Sequence, residues 1–309
     1  FADDLRELSS DETLPVLLRV RAIQIAEQKG TLPESAFELM DSVFDEGSPQ
    51  ERLKVAQRLG TSSLNAEQQI RLAARLQRAS PAELKDLIRP FAQIKSNEAA
   101  EAFLEGIQGA ISFTTLSENE LSDIILSFPA DLRPVANGLL DQLRAHRQGQ
   151  LALLDSVLSS LKEGDPKRGA EVFFSEKAKC STCHQVGGRG GKVGPDLSMI
   201  GANRSGPDLL ESIIFPSATI VRDYESYSIA TEDGQVLTGL IARETEDTLY
   251  LQQANGEIVE VPRSQIEEMA PGTTSIMPAG LEQVLTRQEL ADVVAYLQSL
   301  NQPASQAAK

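Results

Sequence analysis

The sequence predicts a mainly α-helical protein with a small antiparallel β-sheet inserted into its second half. Residues 11–162 carry apolar side chains three and four positions apart, which is the spacing of amphipathic helices. After Pro216 the pattern changes to alternating apolar and polar residues with tight-turn signals, which is typical of strands. Helical spacing returns over residues 286–300, so the predicted sheet lies inside a helical domain.

Length and composition predict a soluble protein of two domains. The chain has 309 residues, about twice the usual domain size, and its hydrophobic (41%) and charged (24%) fractions lie near globular averages. Its apolar runs are far shorter than the roughly 18 residues of a bilayer span. Phe1 opens no secretory leader, so we expect a mature or excised chain. A net charge of -16 argues against nucleic-acid partners.

We predict that residues 1–164 form a first domain of paired helices. Ser48 and Ser80 each precede a proline at the first helical position, and a glutamate three residues later completes a capping box. These two helix starts lie 32 residues apart, which is the length of a helix-pair repeat. The segment loosely resembles HEAT or armadillo-type repeats and would then form an α-solenoid. An irregular helical bundle is the alternative.

Further capping signals give an expected number of helices in this domain. Ser117 begins a third capping box, and four glycines stand where helices should end. We therefore expect eight or nine helices of roughly 10 to 16 residues each. The four glycines are Gly30, Gly47, Gly60 and Gly149.

The second predicted domain covers residues 165–309. Asp165 and Pro166 provide the cap and first residue of a helix that leads to two cysteines. Asp233-Gly234 and Asn255-Gly256 are typical of hairpin turns. We expect a four-stranded meander inserted at about residues 217–270, with strands at residues 224–231, 235–243, 248–253 and 257–261.

The chemically informative string is Cys180-Ser-Thr-Cys183-His184. Two thiols at this spacing can reach two vinyl groups of a haem, and a histidine directly after them can ligate its iron. A redox dithiol is one alternative, but such motifs usually follow a strand, whereas a helical stretch precedes this one. A structural zinc site is another, but the remaining histidine, His146, lies in the first domain.

The second half of the chain, from Asp165 onward, resembles a class I cytochrome c, and specifically the haem-binding domain of planctomycete and verrucomicrobial multidomain proteins. The inserted sheet departs from the small cytochrome pattern. The resemblance is based on four further motifs in order: Asp165-Pro166 with Gly169 and Phe173, Gly194-Pro195-Asp196-Leu197, Met277-Pro278, and Tyr296-Leu297.

The resemblance implies roles for individual residues. The carbonyl of Pro195 would accept the Nδ1 proton of His184, Met277 would be the sixth ligand of the iron, and Gly169 would permit close contact with the last helix. Methionine is more often core filler, so Met269 and an open sixth position remain alternatives. Met199 lies too close to Pro195 for a distal ligand. Met40 belongs to the first domain.

Basic residues surround the motif. Arg204 and Arg189 could pair with haem propionates, although a solvated surface charge is an equally simple interpretation. Residues 167–192 hold six basic and two acidic side chains, a local charge of +4. We call these six residues the basic collar: Lys167, Arg168, Lys177, Lys179, Arg189 and Lys192. The collar could steer an acidic redox partner to the haem.

These observations predict an electron-transfer protein rather than an enzyme. With His184 and Met277 both on iron, one covalent haem c has no open position for substrate, and the midpoint potential should be positive. The resemblance implies export, so we expect a periplasmic location. A five-coordinate haem for gas sensing or peroxide chemistry is one alternative, and a scaffold whose helical repeats bind a partner protein is another.

Overall fold

The computed structural model describes residues 2–27, 31–218, 220–221 and 224–301. It divides into two compact units, residues 1–145 and 146–309. The described residues include no helix with the length and apolarity needed to cross a membrane.

The first unit is helical. Its helices are α1 (Ala2–Ser10), α2 (Val16–Glu27), α3 (Glu34–Asp41), α4 (Val43–Glu46), α5 (Pro49–Gly60), α6 (Ala66–Arg75), α7 (Pro81–Leu87), α8 (Asn97–Gln108), α9 (Glu118–Ile125) and the first part of α10 (Arg133–Ser160). Short 3-10 helices lie at Leu76–Arg78, Arg89–Gln93 and Phe113–Thr115.

The predicted helix starts are confirmed. The hydroxyls of Ser48, Ser80 and Ser117 each accept a hydrogen bond from the backbone N–H of a glutamate three residues later. The side chain of that glutamate accepts a hydrogen bond from the serine N–H. These reciprocal bonds satisfy two backbone donors that the first helical turn leaves without partners. The number of helices between residues 11 and 162, nine over the described residues, also agrees with the prediction.

Helix lengths differ from the predicted 10 to 16 residues: α3, α4, α7 and α9 have only four to eight residues, and α10 is longer because one glycine does not end it. Gly47 and Gly60 lie at helix ends, and Gly30 lies outside the described residues. Gly149 is inside α10, which runs for 28 residues, so the prediction of a helix end there is wrong. A helical glycine costs about 1 kcal/mol relative to alanine, and the leucine, alanine and arginine residues around it outweigh that cost.

An apolar core fills the first unit. The ring of Phe103 packs against Phe91 at 4.7 Å and against Phe128 at 5.8 Å, and all three side chains are buried. The buried amide of Gln69 donates to the carbonyl of Pro90 at 2.9 Å, so the polar group within this core has a partner. Helical character is therefore confirmed, while the HEAT-like repeat stays a prediction.

The second unit contains short helices and two sheets. The helices are the second part of α10, α11 (Pro166–Phe173), α12 (Cys180–Cys183), α13 (Ile200–Asn203), α14 (Gly206–Ile214), α15 (Leu281–Val284) and α16 (Arg287–Ser299). A two-stranded ribbon is formed by β1 (Gln185–Val186) and β2 (Arg189–Gly190). The larger sheet has strands β3 (Ser226–Thr231), β4 (Val236–Glu244), β5 (Thr248–Gln252), β6 (Ile258–Pro262) and β7 (Ile266–Pro271).

The division between the units lies inside α10, whereas the sequence analysis places the domain boundary near residue 164. Leu154 and Val157, in the second part of α10, are buried in the same apolar cluster as Phe173 of α11. The later part of this helix therefore packs with the residues that follow it.

The inserted sheet has five antiparallel strands in the order β6-β5-β4-β3-β7. The four predicted strands are present, with Gly234 and Gly256 at positive φ in the predicted hairpin turns. These four strands pair in sequence order as the predicted meander, and β7 adds a fifth strand, which was not predicted, on the free side of β3. Its sequence, Ile-Glu-Glu-Met-Ala-Pro, does not alternate regularly, and its partner lies far away in sequence.

The first and last helices of the second unit pack closely, as the resemblance implies. A Cβ at Gly169 would lie only 1.9 Å from the carbonyl oxygen of Asp292, so only glycine fits at this helix crossing. The rings of Phe173 and Tyr296 meet nearby with centroids 5.5 Å apart. This crossing holds α11, the helix that precedes the motif at residues 180–184, against α16.

Candidate functional site

The two cysteines lie on one short helical turn, α12. Lys179 begins it in a left-handed conformation with φ of 54°, and the His184 N–H donates to the Cys180 carbonyl at 2.9 Å at its end. Residues three apart on a helical turn project to the same side. The local fold therefore presents Cys180 and Cys183 together, with His184 directly after them.

The imidazole of His184 is held by the bond that the resemblance implies. Its Nδ1 lies 2.9 Å from the carbonyl oxygen of Pro195, which can only accept, so Nδ1 carries the proton and Nε2 has the lone pair. Burial lowers the pKa of His184, although the Pro195 bond acts in the opposite direction. A neutral imidazole of fixed orientation is the form that binds iron.

Three glycines fit closely around the motif. A Cβ at Gly194 would lie 2.6 Å from Cε1 of His184, one at Gly191 would lie 1.9 Å from the Thr182 carbonyl oxygen, and Gly190 has φ of 114°. Sequence reasoning used Gly194 only as part of a motif and missed the other two. The glycine-rich stretch at residues 187–191 was the available signal.

The thiols differ from those of a redox dithiol. Both cysteines are free, and burial raises the pKa of Cys180 to about 11 and also raises the pKa of Cys183. Redox-active motifs of this spacing instead lower the pKa of the attacking thiol. The structure does not favour a structural zinc site either, because the described residues hold no cluster of three or more metal-ligating side chains.

The four methionines have different surroundings. Met277 packs against the same buried apolar cluster as Cys180 and Leu197, whereas Met269 packs against the separate core of the inserted sheet. Met199 is 37% exposed, and Met40 is buried in the first unit. Met277 thus shares a cluster with the motif, and its role as an iron ligand stays a prediction.

The predicted basic side chains are not all directed at the motif. Arg204 is exposed at the end of α13, and Arg189 stacks over the ring of Phe174 at 3.9 Å. Within the basic collar, Lys177 pairs with Glu289 at 2.6 Å. Arg168 pairs with the buried Asp292 at 2.8 Å. Three of the six collar cations, Arg168, Lys177 and Arg189, therefore already contact a carboxylate or an aromatic ring of this protein.

The inserted sheet touches the motif. The Sγ of Cys183 lies 3.9 Å from the carbonyl oxygen of Ala254, in the turn between β5 and β6. The Asn-Gly signal predicted this turn but not its location, because location depends on packing between segments distant in sequence.

Comparison with known proteins supports the cytochrome interpretation. The family model "Cytochrome c" matches residues 166–232. A protein named "Cytochrome c" from Stellaria longipes is 51% identical over 37 residues, which is 12% of this chain and 32% of that protein. The match thus spans about a third of the relative's length. Residues 166–232 are therefore similar to a cytochrome c domain, and the motif at residues 180–184 lies within this matched segment.

Proposed function

We propose that the protein is an exported, periplasmic electron-transfer protein that binds one haem c covalently, with His184 and Met277 as axial ligands. The observation that best supports this proposal is the 2.9 Å contact between His184 Nδ1 and the Pro195 carbonyl, beside two cysteines on one helical turn. When bound, the haem iron supplies a one-electron couple between its ferric and ferrous states.

Cys180 and Cys183 would hold the porphyrin. Each thiol would add across one vinyl double bond, with formation of an S–C bond and transfer of the thiol hydrogen to the neighbouring vinyl carbon. This addition would need two free thiols and no oxidant, and both cysteines are free. Gly194 leaves room for the imidazole, and Nε2 of His184 is the atom that would be available to the iron.

Met277 is the best candidate for the second axial position. Its side chain packs against the same buried cluster as Cys180, and its N–H donates to the Ser275 hydroxyl at 3.2 Å, which restrains the loop before α15. With both axial positions filled, the protein would transfer electrons without binding substrate at iron. Thioether ligation and burial both favour the reduced state and therefore a positive midpoint potential.

Two surfaces are proposed for partners. Lys167, Lys179 and Lys192 of the basic collar have no ion pair among the described residues, so they remain available to steer an acidic redox protein. The helices of the first unit would offer a separate surface to a partner protein if they form repeats.

The attachment is tested by the visible spectrum of protein produced in a host that matures c-type cytochromes. We expect haem absorption that stays with the polypeptide after denaturing extraction, and the Cys180→Ala plus Cys183→Ala double variant should lose it. Colourless wild-type protein, or pigment that is extracted from it, contradicts the proposal.

The distal ligand is tested by replacing single methionines. Met277→Ala should lower the midpoint potential and allow carbon monoxide to bind the ferrous protein, because an axial position opens. Met269→Ala and the exposed Met199→Ala are matched controls and should leave both properties unchanged. If wild-type protein already binds carbon monoxide at neutral pH, the five-coordinate alternative is correct instead.

A further inference from the structure

The turn between β5 and β6, residues 253–257, lies against the motif. Besides the 3.9 Å contact between the Ala254 carbonyl and Cys183 Sγ, a Cβ at Gly256 would be in van der Waals contact with Val193, 3.8 Å from Cγ2. Val193 is 2% exposed and directly precedes Gly194, the residue that packs on the His184 ring. The turn therefore contacts the motif at Cys183 and lies near Val193, the residue before Gly194.

The conformation of this turn is fixed by its own hydrogen bonds. The N–H of Gln253 donates to the Glu257 carbonyl at 2.8 Å, and the N–H of Gly256 donates to the Gln253 carbonyl at 2.9 Å. The Asn255 side chain accepts from the Glu257 N–H at 3.0 Å, and Gly256 has φ of 88°. Such a turn keeps a defined position beside Cys183.

The sheet behind the turn is anchored at its other end. Strands β3 and β7 pair, so the two ends of the insertion meet where the Gly272 N–H donates to the Ser226 carbonyl at 2.7 Å. The Ser226 hydroxyl also donates to the Thr274 carbonyl at 2.9 Å, in the loop that leads to Met277. The sheet has its own buried core, which includes Leu249 and Leu251 of β5.

We propose that the β5–β6 turn of the inserted sheet covers the porphyrin edge that Cys183 holds and limits the access of water to that edge. This inference rests on the proposed function, because it assumes that Cys183 forms a thioether. Ala254 then lies beside that thioether, and exclusion of water from the edge favours the less charged ferrous iron. A charge placed on the turn would act on the iron at short range.

A pair of opposite charges at Ala254 tests this position. The side chain of Ala254 is exposed, so both Ala254→Lys and Ala254→Glu should fold. At low ionic strength we expect the midpoint potential of the holoprotein to rise with lysine and fall with glutamate. The matched control pair is Gln235→Lys and Gln235→Glu, beside the β3–β4 turn, where a side chain at Gly234 would meet nothing within 4 Å. The control pair should show much smaller shifts.

Deletion of Ala254 tests the cover without a change of charge. It leaves Asn255-Gly256 as a two-residue hairpin turn, a favourable hairpin connection, and it withdraws the carbonyl beside Cys183. We expect a lower midpoint potential, because water reaches the edge of the haem.

The two sets of variants have separate outcomes. If the Ala254 charge pair shifts the potential no more than the Gln235 pair, or the deletion leaves it unchanged, the proposed cover is overturned while the spectrum still supports covalent haem. Absence of covalent haem in the wild-type protein overturns the proposed function as well.

Discussion

At the scale of single residues, the ring of His184 is positioned from two sides. The Pro195 carbonyl fixes one nitrogen, and Gly194 packs against the ring so closely that no Cβ fits. The first contact is a hydrogen bond that selects the tautomer, and the second is a steric requirement. Both act on the same imidazole, so its direction depends on main-chain atoms rather than on charged neighbours.

Gly194→Ala should therefore disturb the site. Its Cβ would lie 2.6 Å from Cε1 of His184, so the ring must rotate away from the Pro195 carbonyl. We expect a lower yield of covalent haem and, in the protein that does mature, a higher midpoint potential, because an imidazole without this hydrogen bond is less basic and stabilises ferric iron less. The yield is measured from the ratio of haem to protein absorbance, and the potential by spectroelectrochemistry.

Gly138→Ala in α10 is the control for this substitution, since an added Cβ there meets nothing within 4 Å. It should leave the haem yield unchanged. Normal haem yield and potential in Gly194→Ala would show that the ring tolerates this contact.

At the scale of elements, the crossing of α11 and α16 combines close packing with a buried carboxylate. Asp292 is 2% exposed and accepts hydrogen bonds from the Asp165 N–H at 2.7 Å and from Arg168 Nε at 2.8 Å. Gln288 donates to the same carboxylate at 2.9 Å. Because every partner is a donor, the carboxylate form is strongly favoured over the acid. The start of α11 is thereby tied to the middle of α16.

Asp292→Asn should destabilise the protein by roughly 1–3 kcal/mol, because the buried side chain loses its charge-assisted hydrogen bonds and its new amide N–H2 group faces other donors. The hydrogen bonds from Arg168 lower the pKa of Asp292 from 3.8 to about 2. A lowered folded-state pKa gives stability that is complete above pH 3.8 and is lost as the pH falls toward 2. The stability difference between wild type and variant should therefore shrink over that interval, as measured by urea unfolding at several pH values.

Glu289→Gln is the matched control, because its pair with Lys177 is more exposed and glutamine preserves the capping box with Thr286. It should cost less than about 1 kcal/mol. An equal loss of stability in the two variants would contradict the special role of the buried carboxylate.

At the scale of the whole molecule, the second part of α10 belongs with the second unit. Leu154 is 7% exposed and Val157 is fully buried, and both lie in the cluster around Phe173. The helix itself continues without a break from Arg133 to Ser160, so its local sequence contains no sign of this change in packing partners.

A fragment of residues 146–309 should therefore be more stable than one of residues 165–309. The shorter fragment loses two buried aliphatic side chains, a loss of roughly 3–5 kcal/mol at most. Urea unfolding of the two holo-fragments, followed by circular dichroism, measures the difference. Equal stabilities would instead support a domain boundary near residue 164.

The sequence by itself determined the features that depend on neighbouring residues. Capping boxes such as that of Ser80, the hairpin turn at Gly256 and the spacing of Cys180 and Cys183 need only a few consecutive residues, and each is present as predicted. Family resemblance added the contact between His184 and Pro195, which bridges eleven positions.

Only the tertiary structure decided which distant segments meet. Strand β7 forms because β3 offers a free edge, and Gly191 is required because another segment's carbonyl approaches it. The turn at Ala254 reaches Cys183 across 71 positions, a contact without a local signature. Such contacts depend on how separate apolar surfaces pack together, and a short sequence pattern contains no information about its packing partner.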